Sequence, residues 1–220
     1  MVAPPIAICT TNIFRKNQLT VSLSLPTSES NMPKEHLEDF SPPWAQALIN
    51  DPTWTAVPTW GREVMPPPST ENALMATTFD RPDGVRAVLT FNRYPSPRPS
   101  SSPSSSSPSS FKGFETRMLF SLGSGLNGHS GFSHGGFIGT LIDETSGQCA
   151  FLIFGTGIVT GEMTVRYKQM LPTPSIVLCR AWLEKEPEGR KVWVSAVVEN
   201  GQGVVFATGT TLFIKTKSKI

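Results

Sequence analysis

The chain has 220 residues, 38% of them hydrophobic, and a formal net charge of +2 from 19 basic and 17 acidic side chains. That length supports one buried core and one domain, and so small and scattered a charge argues against a nucleic-acid surface. Three widely spaced cysteines, Cys9, Cys149 and Cys179, form no CxxC pair, which argues against a disulfide framework or a structural zinc site and favours a reducing, cytoplasmic location.

The first 33 residues are rich in Pro, Ser and Thr without a sustained period, and are expected to be a tail outside the fold. Residues 1–28 hold Arg15 and Lys16 but no acid, so a mitochondrial leader is the alternative to a cytoplasmic start. No apolar run approaches the roughly 18–20 residues that cross a bilayer, so no membrane span is expected. A single domain is expected over 34–220. Its N-terminal arm, 35–62, places Leu37, Phe40, Trp44, Ala47 and Leu48 at three- and four-residue steps, the period of a short helix, with Pro42 and Pro43 at its entry. Trp54 and Trp60 follow and are expected to clamp the arm onto the body.

The runs ALMATTF and RAVLTF read as strands joined by the turn Asp80-Arg81-Pro82-Asp83-Gly84. A Ser/Pro-rich block over 95–112 has no means of building a core and reads as a loop inserted at a strand connection. Glu115 to Leu122 resumes a strand pattern. Residues 136–154 then form a helix that is apolar nearly all round, which predicts burial rather than a surface position. Beyond it Met163, Val165 and Tyr167 alternate with polar residues, so a strand with one apolar face is expected. Three further strands are predicted over 176–184, 191–199 and 203–214, with turns at Glu188-Gly189 and Asn200-Gly201, giving a four-strand meander. Lys215, Lys217 and Lys219 read as a solvated end. The order predicts an α+β fold in which an antiparallel sheet wraps around one long central helix.

The most informative stretch runs from His134-Gly135-Gly136 through an apolar segment to Asp143-Glu144. A helix N-terminus offers free N–H groups and partial positive charge, so Gly135 and Gly136 are candidate donors to a developing oxyanion; the plainer reading is a tight strand-to-helix turn. Asp143 weighs towards function, because a carboxylate inside an apolar helix is costly unless paired or used. Glu144, about 100° around the helix, is the alternative buried acid, but helical spacing aligns Asp143 with Gly136, about 10 Å away along the axis. That is too far for one reaction centre. A second copy packing its helix antiparallel would bring a glycine from one chain to the acid of the other, which predicts a homodimer with two equivalent sites.

Competing patterns are weaker. Gly123-Ser124-Gly125-Leu126-Asn127-Gly128 matches GxGxxG, but further glycines follow and no βαβ alternation appears. No GxSxG occurs, and His129, His134 and Asp143 lack metal-ligand spacing, so neither a hydrolase triad nor a metal is expected.

Asn127-Gly128-His129, His134-Gly135-Gly136 and Asp143, with Thr160 and then Tyr167-Lys168 on the following strand, resemble the acyl-CoA thioesterases of the hot-dog fold. The resemblance is to the branch holding phenylacetyl-CoA-type and mammalian THEM-type enzymes, and in wording most to fungal members, some of which accompany polyketide pathways. It covers about residues 113–215 well and the 35–94 region loosely. It implies that Asp143 is the nucleophile or the base that activates water, and that the Gly135 N–H, with Gly136 nearby, polarises the thioester carbonyl. His134 and Asn127 would shape the pocket, Thr160 would orient the water or the carboxylate, Tyr167 would contact the substrate, and Lys168 would lie near the CoA phosphates. No cofactor is implied. The expected partners are an acyl-CoA or acyl-carrier-protein thioester and further copies of the chain, as a homodimer or dimer of dimers. Plain structural roles stand beside these: a capping His134, an ordinary strand Thr160, a core Tyr167 and a solvated Lys168. A non-catalytic acyl-binding protein and a hot-dog dehydratase are the alternative functions, the second disfavoured because no catalytic His with a second acid is evident.

Overall fold

The computed structural model describes residues 37–94 and 113–217. The expected N-terminal tail, the Ser/Pro block and Lys219 lie outside the described residues. The arm opens with a 3₁₀ turn, Leu37–Phe40, and the short helix α1, Pro43–Ile49, with Pro43 as its first residue, where the missing N–H costs nothing. It then departs from the expectation of a purely helical arm: strand β1, Thr55–Val57, pairs antiparallel with β2, Val85–Arg93, and a second 3₁₀ turn spans Trp60–Arg62.

The ALMATTF segment is a π-helical turn, Leu74–Thr78, and not a strand. The cause is local. Asn72 adopts φ 64°, and its carbonyl accepts from the N–H groups of Met75 and Ala76 at 3.1 and 2.8 Å, which starts a helical turn before any strand can form. RAVLTF does fall within β2, which pairs with β3, Glu115–Leu122. A two-stranded ribbon, β4 (Asn127–His129) and β5 (Phe132–Ser133), leads into the central helix α2, Gly135–Phe154. After α2 come β6 (Ile158–Tyr167), β7 (Ser175–Leu183), β8 (Lys191–Glu199) and β9 (Val205–Lys215).

The main sheet has seven strands in the order β1-β2-β3-β7-β8-β9-β6, every pair antiparallel. The expected four-strand meander is therefore only a three-strand one, β7-β8-β9, with β6 placed on the far side of β9. Burial accounts for the order: Val177, Leu178, Cys179 and Ala181 bury β7 between β3 and β8, while β6 keeps most of its residues exposed at the edge.

One helix touches five neighbouring strands, β3, β7, β8, β9 and β6. Five strands span about 19 Å and a helix is about 10–12 Å across, so the sheet has to curl around α2. This is the hot-dog arrangement. Leu141, Ile142, Cys149 and Ala150 have no exposed surface and form the inner core with Met118, Phe120, Val177, Val192 and Val194. Gly209 marks the closest approach, because a Cβ there would press to 2.9 Å from Ile142 Cγ2 and 3.0 Å from the Thr164 carbonyl. The opposite face of the sheet is covered by the arm, where Phe40, Ala45 and Trp54 pack on Ala87, Leu89, Phe91, Leu119 and Leu178.

α2 ends at Gly155, whose φ of 67° suits glycine and whose N–H returns to the Phe151 carbonyl at 2.6 Å. Lys215 completes the stop. Its Nζ donates to the carbonyls of Phe154 (2.7 Å) and Thr156, placing a cation at the negative end of the helix, so this lysine caps a helix and is not part of a solvated end.

Candidate active site on the central helix

The two ends of the His134-to-Asp143 stretch occupy separate places. At the start of α2, His134 is the N-cap, and its Nδ1 accepts from the Gly136 N–H at 2.9 Å. An imidazole accepting through Nδ1 is the neutral form with its proton on Nε2. Capping occupies the Gly136 donor and leaves the Gly135 N–H without a partner among the described residues, so Gly135 is the candidate oxyanion donor of the pair. Tyr167, from the end of β6, donates through its hydroxyl to the Gly135 carbonyl at 2.9 Å and so holds the peptide unit that follows the candidate donor. A Cβ on Gly135 would lie 3.5 Å from that ring, an ordinary contact, so glycine here keeps the approach to its N–H open and does not relieve a clash.

Two turns along, Thr160 on β6 donates to Asp143 Oδ1 at 2.8 Å. The strand reaches the helix there through a bulge. The pairing of β6 with β9 shifts between Thr160 and Glu162, and Gly161 occupies the extra position, where a Cβ would press on Ile214 Cδ1. The Thr160 bond holds one carboxylate oxygen and leaves the other for a ligand or water. Replacing Thr160 by Val should keep the fold and lower kcat about tenfold with little change in KM, the size expected for one hydrogen bond to a charged group, as read from steady-state kinetics on an acyl thioester.

Asp143 and Thr160 line a cavity of about 470 Å³. One wall is α2 itself with Gly147, Gln148 and Phe151, and the other comes from the segment after β1. Trp60 packs at a tilt against Phe151 with ring centroids 4.2 Å apart, and Gln148 Nε2 donates to the Pro58 carbonyl at 3.2 Å, so the arm is anchored directly to the helix that carries Asp143. Asn72 Nδ2 holds the carbonyls of Trp60 and Glu63 at 2.9 and 3.1 Å, and Arg62 holds those of Met75 and Val85, which keeps this wall in one shape.

The remaining predicted site residues are not in the cavity wall. Asn127 is half-buried and bound into its own loop; with its amide oriented to satisfy both atoms it meets Thr173 Oγ1, the Ser124 carbonyl (3.2 Å) and the Gly131 N–H (3.2 Å). Lys168 is exposed, and its main-chain N–H donates to the Phe206 carbonyl at 2.8 Å. A single chain thus gathers two clusters, His134-Gly135-Gly136-Tyr167 and Asp143-Thr160.

A 104-residue stretch, 46% of this chain, is 41% identical to the acyl-coenzyme A thioesterase THEM4 of Xenopus laevis and covers 46% of that protein. A 98-residue stretch is 35% identical to human THEM5, also an acyl-coenzyme A thioesterase, over 44% of this chain and 39% of that one. About half of the chain is homologous to acyl-CoA thioesterases. The chain spans less than half the length of these curated relatives. No protein-family model matches it. Among solved structures, zebra fish thioesterase superfamily member 2 superposes with a TM-score of 0.43 at 17% identity, covering 46% of this chain and 75% of that one. A thioesterase superfamily protein from Shewanella loihica gives a TM-score of 0.41 at 22% identity, over 46% of this chain and 83% of that one.

Within this thioesterase-related region, Glu144 is the acid that the sequence offered as the alternative to Asp143 and that helical spacing set aside. It lines the same cavity as Asp143. Burial, and then the neighbouring Asp143 charge, push its carboxyl up to about 7. The available signal was the acid pair itself inside an apolar helix, but helical spacing pointed to Asp143 alone. Cys149 and Cys179 are free and buried, and burial pushes the Cys149 thiol up to about 12, which suits packing and not nucleophilic chemistry. Among the described residues no cluster of His, Cys, Asp and Glu has the composition of a metal site, and no helix is long and apolar enough to cross a membrane.

Proposed function

We propose that the chain hydrolyses acyl thioesters, an acyl-CoA or an acyl group on a carrier protein, releasing a carboxylic acid and a thiol. The observation that carries this reading is Asp143, oriented by Thr160 and lining a cavity of about 470 Å³. Asp143 acts on the thioester carbonyl as nucleophile or as base for water, and both roles use the carboxylate oxygen that Thr160 leaves free. The Gly135 N–H, at the positive end of α2, receives the oxyanion. Homology to THEM4 and THEM5 supports a CoA thioester as substrate, and polyketide-type acyl groups are a narrower version of the same reading. The test is a thiol-release assay over short, long, aromatic and polyketide-like CoA and carrier-protein thioesters. Saturable hydrolysis is expected, and ligand binding without turnover would favour the acyl-binding alternative.

The reading requires a homodimer, because donor and acid lie two turns apart on one helix. β6 supports it. This ten-residue strand is an unpaired sheet edge, with Val159, Met163 and Tyr167 still 39%, 37% and 55% exposed. An edge that long with apolar side chains is a pairing surface, and the same strand carries Thr160 and Tyr167, one from each cluster. Sedimentation should show a dimer or a dimer of dimers, and Met163→Lys should weaken its association at least about tenfold, the effect of burying an unpaired charge in an interface. A wild-type monomer that turns over at full rate would sink the two-chain site.

A further inference from the structure

The cavity holds a second carboxyl that hydrolysis itself does not require. Glu144 is half-buried, and among the described residues it has no hydrogen-bond or ion-pair partner. Its Oε2 lies over Gly61, so close that a Cβ on that glycine would collide with it. The other polar groups of the wall are already engaged or face solvent. Asp143 holds Thr160, Asn72 and Gln148 hold main-chain carbonyls, and Glu63 and Glu71 are exposed. Glu144 is therefore the half-buried polar group of this cavity with no partner among the described residues, and a carboxyl held partly out of water without a partner is costly unless a ligand completes it.

Its surroundings set what that ligand must offer. Trp60, Met75, Phe151, Ile158 and Phe213 give the mixed lining an apolar share suited to an acyl chain, with Glu144 next to Asp143 in sequence. Burial and the Asp143 charge hold a large share of Glu144 protonated near neutral pH, so it presents an O–H donor and a carbonyl acceptor, not a fixed negative charge. Such a group matches an oxygen on the chain. It offers nothing to a plain methylene.

We propose that Glu144 is a specificity-determining residue that hydrogen-bonds an oxygen substituent on the acyl chain, so that the site takes hydroxy- or oxo-acyl thioesters in preference to unsubstituted ones. The inference rests on the thioesterase reading and narrows its substrate class. A site built around a hydrogen bond discriminates strongly against the analogue that lacks it, because the buried group is then left unpaired.

The test compares kcat/KM for octanoyl-CoA with that for its β-hydroxy, β-oxo and δ-hydroxy derivatives, in the wild type, Glu144→Gln and Glu144→Leu. The wild type should prefer at least one oxygenated thioester by about tenfold or more. Glu144→Leu should reduce that ratio at least about tenfold, while Glu144→Gln, which keeps a donor and an acceptor, should hold it within about threefold. A merely structural role would lower all substrates together and leave the ratio unmoved. A wild-type ratio near unity, or a ratio that survives in Glu144→Leu, overturns the proposal. If the wild type hydrolyses none of these thioesters, the hydrolase reading has failed separately, and the same ratio is read from Kd values by calorimetry: a preference lost in Glu144→Leu supports the role of Glu144, and equal or absent binding overturns it.

Discussion

Asp143→Asn is expected to lower kcat for acyl-thioester hydrolysis by at least about a thousandfold while the protein stays folded and still binds its acyl ligand. The substitution is nearly isosteric, and the amide oxygen still accepts from Thr160 Oγ1, which in the native chain lies 2.8 Å from Asp143 Oδ1. What the variant lacks is the free anionic oxygen, which in the proposed reaction either attacks the carbonyl carbon or takes a proton from water. General-base assistance alone contributes about a hundred- to ten-thousandfold, and loss of a covalent route removes at least as much. The Gly135 N–H is untouched, so polarisation of the carbonyl persists and a residual rate above the uncatalysed one is expected. Steady-state kinetics with calorimetric binding on the same variant separates the two functional readings: an enzyme loses turnover and keeps affinity. A variant that retains a tenth or more of wild-type kcat would remove Asp143 from the chemistry.

The sequence disclosed the helix that carries this acid more clearly than the sheet around it. The period and caps of α2 place it within a residue of its observed start, because a glycine-rich entry and a continuous apolar run leave few alternatives. The strands β7 to β9 are legible for similar reasons, with turn chemistry at Glu188-Gly189 and Asn200-Gly201. Pairing order is not. The alternation in β6 shows that one face is apolar, but nothing local states that β9, and not β7, will be its neighbour; that follows from how much surface each strand buries after collapse. Leu74–Thr78 misleads for the opposite reason. Its residues suit a strand, yet the backbone of Asn72 imposes a helical turn from outside the run. In the site, the pairing of Thr160 with Asp143 came from the family resemblance and not from spacing or period, and the two side chains are hydrogen-bonded. The capping role of His134, which takes up the Gly136 N–H, depends on a ring orientation that no spacing rule supplies. Glu144 was the alternative acid and lost to its neighbour on helical spacing, because only the fold of the arm, with Trp60 on Phe151 and Gly61 against the carboxyl, takes it partly out of water.

That burial makes stability depend on pH, and Glu144→Gln should remove the dependence. The folded chain holds this carboxyl at about 7, against an ordinary value of 4.5 in the unfolded chain. Below about pH 4.5 both states carry the proton, and Glu144 introduces no pH dependence. Between about 4.5 and 7 the unfolded state releases the proton and the folded state retains it, so stability falls as pH rises; above about 7 both are ionised and the loss is complete. The rise from 4.5 to about 7 corresponds to about 3 kcal/mol, and partial solvent access brings the expected figure to about 2–3 kcal/mol. Desolvation is the main cause, and repulsion from Asp143 adds to it. Glutamine is neutral at every pH and close to protonated Glu in shape. The variant should therefore melt within about a degree of wild type at pH 4, yet about 5–10 °C above it at pH 8, since 1 kcal/mol moves Tm by about 2–4 °C in a domain of this size. Paired thermal melts at the two pH values read the effect directly. Equal melting points at pH 8 would show that the carboxyl is solvated in the folded chain, and would remove the buried donor on which substrate selection by Glu144 depends.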